Sequence, residues 1–126
     1  MNNHFWGRMG EAEVRDWLIS EGHLILASNW RSGKQEIDLI TQMGFNCHFI
    51  EVKTRFIRNS NSKSYVSGIQ DLIIKQFNHH KQQNMKKAMK QFSRNHPKIL
   101  NYKIDFYTVL YFTYGKYIYH FKRPIL

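Results

Sequence analysis

One cysteine stands in 126 residues, Cys47, so neither a disulfide framework nor a cysteine-rich zinc site can form. Acidic residues are scarce, with nine Asp and Glu against 19 Lys and Arg, and the net charge is +10. Between Asp71 and Asp105 there is no acid at all. No apolar run approaches the ~20 residues that a helical membrane span needs. The opening MNNHFWGRMGEAEV has no apolar stretch of the secretory kind. These shortages predict a soluble cytoplasmic protein with no membrane partner. The length suits a single domain, residues 1–126, with one core. Apolar residues at 42% and aromatics at 15% are enough to build that core.

The surplus of positive charge favours an anionic partner. Lys75, Lys81, Lys86, Lys87, Lys90, Arg94, Lys98 and Lys103 all fall in the acid-free segment. A surface of this kind binds phosphate backbones. A plain solvated helix face is the competing explanation, and the complete absence of acids weighs against it.

Residues 1–8 read as a lead-in. Gly10 opens a helix in which Ala12, Val14, Trp17 and Leu18 share a face. Gly22 stands where that helix would be capped. Glu11 and Glu13 suit a helix start, where free amide groups favour negative charge. Leu24–Trp30 reads as an edge or first strand, and Arg31–Lys34 as a turn. Gln35–Gln42 and Cys47–Thr54 read as strands joined through Gly44. Arg55–Gly68 reads as a long mobile loop, and Ile69–Asn95 as helix stopped by Pro97. Lys103–Phe112 and Tyr117–Phe121 are the last two strands. The order predicts one mixed sheet with helices packed against it, an α/β class.

The stretch EIDLITQMGFNCHFIEVKTR places Glu36, Asp38, Glu51 and Lys53 inside strands. Side chains alternate along a strand. Alternation puts Glu36, Asp38 and Ile40 on one face, and Phe49, Glu51 and Lys53 on one face of the next strand. The expected result is one apolar face and one charged face. With Asp38 opposite Glu51, two carboxylates and an ammonium group meet. Like carboxylates raise each other's pKa unless a cation lies between them. Mg²⁺ suits such a pair, since it takes oxygen ligands and often only one or two carboxylates. Lys53 would then orient an attacking water or steady charge on a phosphate. Spacing alone leaves this level with a solvated sheet face carrying cross-strand ion pairs of about 0.2–1 kcal/mol each.

Arg31, Lys34, Arg55 and Arg58 lie close to these residues in sequence, and Lys81 and Lys86 lie in the acid-free helix. They are candidates for contacts to a nucleic-acid backbone. Glu36 reads as a surface ion-pair partner beside the site. Asp105 reads as a structural acid bonded to a basic side chain. Cys47 reads as packing, and His79 and His80, adjacent on a helix, do not share a face for a metal. The late aromatic stripe reads as strand packing.

Several segments together resemble the YraN-type proteins, a family similar to the restriction-endonuclease-like and archaeal Holliday-junction resolvase nucleases. They are GEAEVRDWLISEGHLILASNWR (10–31), EIDLI (36–40), FIEVKTR (49–55), Lys81 with Ala88 and Phe92, and KIDFYTV (103–109). The resemblance implies a restriction-endonuclease-like core, a central mixed β-sheet flanked by α-helices. It implies a Mg²⁺- or Mn²⁺-dependent phosphodiesterase site in which Asp38, Glu51 and Glu11 hold metal with the Val52 carbonyl. Lys53 matches the catalytic lysine. Nucleic acid, DNA foremost, is the implied partner, and a homodimer is compatible with it. Where the family tends to carry a Phe-Gly pair, this chain has Tyr65, Val66, Ser67 and Gly68. The alternative is a non-catalytic nucleic-acid-binding protein on the same fold, and a third is a protein whose charge meets an acidic protein partner.

Overall fold

A computed structural model of the chain describes residues 3–57, 68, 71–73, 75–113 and 115–124. The element order is α1 (Asn3–Ser20), β1 (Leu24–Ser32), β2 (Gln35–Met43), β3 (Asn46–Ile57), α2 (His79–Arg94), β4 (Asn101–Phe112) and β5 (Gly115–Pro124). The strands form one sheet in the order β1-β2-β3-β4-β5. β3 and β4 are parallel, and the other neighbours are antiparallel. The hairpin at Gly44 (φ 61°) and the helix end at Gly22 (φ 100°) use the left-handed backbone that glycine adopts at least cost.

This is the expected α/β architecture, a mixed sheet flanked by helices as in a restriction-endonuclease-like core. Both faces of the sheet are apolar, however, where one charged face was expected. On one face α1 buries Val14 and Leu18 against Leu39, Ile50, Val52, Tyr107, Val109 and Tyr111. On the other α2 buries Met85, Ala88, Met89 and Phe92 against Ile37, Ile40, Phe49, Ile104, Phe106 and Leu110. A sheet covered on both sides needs apolar residues at nearly every position, which is how β4 reads. Ile37 and Ile40 sit in one cluster and Leu39 in the other. Strict alternation therefore slips at Asp38. Its neighbour across β1 is Asn29, bracketed by the pairs Ser28↔Leu39 and Trp30↔Ile37. Asn29 has φ 50°, a left-handed step that disturbs the two-residue period.

The lead-in is helical. α1 begins at Asn3 because Trp6 and Met9 join the core. Trp6 stacks on Phe56 with ring centroids 4.7 Å apart. Glu11 and Glu13 consequently lie in mid-helix and not at its start. Trp17, expected on the inner face, is 48% exposed. The long helix is interrupted: residues 71–73 and 75–76 are helical, and α2 starts afresh at His79. Asn78 caps it, its side chain accepting the Lys81 N–H at 2.9 Å. Ile73 and Phe77 still reach the core, while Leu72 is exposed. β3 continues to Ile57, so Arg55 is in a strand and not in a loop. The rest of that loop, residues 58–67 with Arg58, lies outside the described residues. No described helix is long and apolar enough to cross a membrane.

At Gly10 α1 packs tightly against β3. A Cβ there would lie 1.9 Å from Thr54 Oγ1. Gly10→Ala should destabilise by up to about 2 kcal/mol, the overpacking cost of about 1–3 kcal/mol less ~1 kcal/mol of helix propensity gained. Urea unfolding of Gly10→Ala alone and with Thr54→Ala checks this. The second change should recover much of the loss, and simple additivity would show that the contact is not its cause.

Candidate active site

The β2–β3 pairing stops at Leu39↔Ile50, one residue short of Asp38 and Glu51. Beyond this fork β2 continues with β1 to the Ser32↔Gln35 pair, and β3 continues with β4 as far as Ile57↔Phe112. Backbone groups released from a ladder need new partners. The Val52 N–H donates to Asp38 Oδ2 at 2.8 Å, so a side chain bridges the fork where the ladder has ended.

The opening is a cleft of ≈ 410 Å³ lined by His4, Gly7, Arg8, Glu11, Asn29, Glu36, Asp38, Glu51 and Lys81. Elements from both faces of the sheet thus contribute: α1 gives Glu11, β2 gives Asp38, β3 gives Glu51 and α2 gives Lys81. Of the residues singled out in the sequence, Glu11, Asp38 and Glu51 line it together. Lys53 reaches Glu51 Oε1 at 3.6 Å, and Lys81 reaches the same oxygen at 3.4 Å. Glu51 is only 5% exposed, and among the described residues its Oε2 is buried with no hydrogen-bond partner. A buried carboxylate oxygen without a donor carries a desolvation cost that a bound cation or donor would relieve.

Burial pushes the Glu11 carboxyl up to about 7, and the charges of Asp38 and Glu36 add to it. Burial likewise pushes Asp38 up to about 7, helped by Glu51 and opposed by the Val52 N–H, Lys81 and Lys53. Carboxylates that resist losing their protons together fit a hard divalent cation, which relieves their repulsion. The donor set is all oxygen, as Mg²⁺ and Mn²⁺ prefer. Among the described residues, though, no three His, Cys, Asp or Glu side chains stand ready to hold one ion. Asp38 and Glu51 with waters would suffice for Mg²⁺, and Glu11 fits an outer position.

Glu36 lines the cleft and lies 3.4 Å from Arg31, the surface ion pair expected of it. Arg31 is therefore engaged with Glu36 beside the cleft. Lys34 is exposed in the turn, and Lys86 is half-buried on α2. Arg55 is exposed and donates to the Thr54 carbonyl and to Gln76 Oε1. Lys81, a candidate for backbone contact, faces the Glu51 carboxylate in the cleft. Val52 takes part through its N–H, and its side chain is core.

Arg8 and Asn29 line the cleft without having been singled out. Arg8 was hidden because Gly7 and Gly10 on either side of it disfavour helix. Asn29 interrupts an apolar strand run, which is a signal, but its left-handed backbone has none. Away from the cleft, Asp105 is buried between His48 and His120. His48 Nδ1 makes a very close contact with its Oδ2, and His120 Nε2 lies 3.4 Å from its Oδ1. Burial would raise the Asp105 carboxyl, but His120 and His48 together outweigh burial and hold it down at about 2. This is the structural acid that the sequence suggested. Burial raises the Cys47 thiol to about 12, consistent with packing.

Residues 10–109 match the Uncharacterised protein family UPF0102. The UPF0102 protein of Treponema denticola (strain ATCC 35405) is 37% identical over 99 residues, 73% of this chain and 68% of that protein. That of Synechococcus sp. (strain JA-3-3Ab) is 36% identical over 92 residues, 72% of this chain and 63% of that protein. That of Treponema pallidum (strain Nichols) is 42% identical over 53 residues, and the match spans 42% of either chain.

The raised carboxyls have a measurable consequence. An acid whose folded pKa exceeds its unfolded value of about 4 binds more protons folded than unfolded. Its contribution to stability therefore falls as pH rises from about 4 to the folded value of about 7. In chemical denaturation across that window, Asp38→Asn and Glu11→Gln should each show a flatter decline than the unaltered protein. Identical slopes in all three proteins would contradict the shifts.

Proposed function

The chain belongs to the UPF0102 family, the YraN-type proteins that its motifs resemble, and we propose that it is a metal-dependent nuclease acting on DNA. The observation that carries this reading is Glu51, buried beside Asp38 with one oxygen free and Lys53 on the other. A structural ion pair would satisfy both oxygens. A half-satisfied one suits a ligand that arrives with the substrate.

Asp38 and Glu51 would hold one Mg²⁺ or Mn²⁺, with the Val52 carbonyl as a further oxygen and Glu11 joining through water. When bound, the ion would lower the pKa of an attacking water and polarise the phosphate. The Val52 N–H keeps Asp38 turned toward the fork, so its carboxylate is pre-positioned. Lys53, 3.6 Å from Glu51 Oε1, would orient the water or meet negative charge on the phosphate. Water would attack phosphorus, the bond to the leaving sugar oxygen would break, and that oxygen would take up a proton. Arg31, Lys34, Arg55, Arg58 and Lys86 would position the backbone outside the cleft. Cytoplasmic location and a homodimer fit this reading.

A non-catalytic nucleic-acid-binding protein is the second reading. It is favoured by the two lysines on Glu51 Oε1, which could neutralise that carboxylate permanently.

Calorimetric titration with Mn²⁺ separates the two. The unaltered protein should bind it, and Asp38→Asn or Glu51→Gln should weaken binding at least roughly tenfold. In cleavage assays on duplex, single-stranded, flap and four-way DNA, Lys53→Ala should slow the reaction by about 10²–10³-fold. Cleavage that persists in a Glu51→Ala, Lys53→Ala protein would place the activity elsewhere or in a contaminant. DNA affinity should drop steeply with added salt, and a flat response would remove the backbone-binding claim.

A further inference from the structure

We propose that Lys81 is the phosphate-clamping residue of this cleft, its ammonium group filling the place of a second divalent ion, so that the site works with one. This rests on the nuclease reading above.

The Glu51 carboxylate is divided. Its Oε1 faces two ammonium groups, Lys53 at 3.6 Å and Lys81 at 3.4 Å, and its Oε2 faces none. Lys53 on the same strand is already a counter-ion for Glu51, and Lys81 brings a second ammonium group from another element. Both separations exceed the ~2.7–2.9 Å of a tight charged hydrogen bond, so neither ammonium is locked. The free Oε2, with Asp38 opposite it across the fork, would take the one ion. A second ion on Oε1 would have to displace both lysines against their repulsion. The site therefore has room for one ion and a loosely held ammonium group beside it.

Lys81 is suited to the phosphate. It lies in the first turn of α2, and its side chain is one-third exposed in the cleft wall. Lys53 approaches Glu51 from the strand that carries it, whereas Lys81 comes from the helix. A phosphate held by the ion at Asp38 and Glu51 meets Lys81 on its other side. With an ion bound there, Lys81 would be held less firmly by Glu51 and would turn to the phosphate oxygens. Lys81 thus changes partner when substrate binds.

The test uses the full chain and two readouts apart from cleavage. Mn²⁺ stoichiometry and affinity are measured by calorimetry. Affinity for a fluorescently labelled DNA duplex is measured by anisotropy with Ca²⁺ in place of Mn²⁺. The unaltered protein should bind one Mn²⁺ per chain. Lys81→Gln should keep Mn²⁺ binding as tight or tighter and weaken DNA binding about tenfold, the loss of one charged hydrogen bond. Lys81→Arg, which keeps the charge, should recover most of that loss. Two ions per unaltered chain would overturn the proposal. So would a Lys81→Gln protein that loses Mn²⁺ as Glu51→Gln does, because Lys81 would then only hold Glu51 in place. Unchanged DNA affinity in Lys81→Gln, with Mn²⁺ still bound, sinks the Lys81 assignment and spares the nuclease reading. No Mn²⁺ binding by the unaltered protein sinks both.

Discussion

The hydrogen bond from the Val52 N–H to Asp38 Oδ2 is the contact on which the cleft depends. Two strands of a sheet cannot separate in its interior without leaving amide groups unpaired. Here a carboxylate takes over from the ladder at the point where β2 and β3 diverge. The separation lets α1 reach the opening from one face and α2 from the other. The same contact fixes the orientation of Asp38 and lowers the cost of its burial. A substitution at Asp38 therefore touches the shape of the sheet as well as its chemistry.

Burial and charge work against each other around this fork. Both sheet faces are covered by helices, so the carboxylates between them are largely withdrawn from water. That withdrawal raises the pKa of Glu11 and Asp38, while Glu51 keeps two lysines on one oxygen. The arrangement holds a concentration of negative charge that only partial compensation accompanies. Burying these carboxylates with only partial compensation costs stability.

Much of this was legible in the sequence, for physical reasons that differ between elements. The strands of the Gly44 hairpin stood out because glycine and apolar runs mark them. Asp38 and Glu51 stood out because charged groups inside strands are costly. The single charged face was misjudged because alternation assumes a regular strand, and the left-handed Asn29 breaks it opposite Asp38. The start of α1 was missed because Gly7 and Gly10, poor helix formers, interrupt the three- and four-residue spacing of Phe5, Trp6 and Met9. The break before α2 came from a side-chain cap at Asn78, which competes with helix continuation in a way that apolar spacing does not register. Lys81 looked like one base among many, because its proximity to Glu51 is a matter of tertiary packing.

The parallel pairing of β3 with β4 has a consequence for how the molecule assembles. The hairpin that brings Asp38 near Glu51 closes over a few residues and can form early. Asn46 meets Asn101 only after the chain has passed through all of α2. Closing so long a loop is entropically slow compared with forming a hairpin. Glu51 stays hydrated until β4 and α2 arrive, so the expense of burying it falls on the last step of folding. The carboxylates are thus gathered first, in water, and enclosed afterwards.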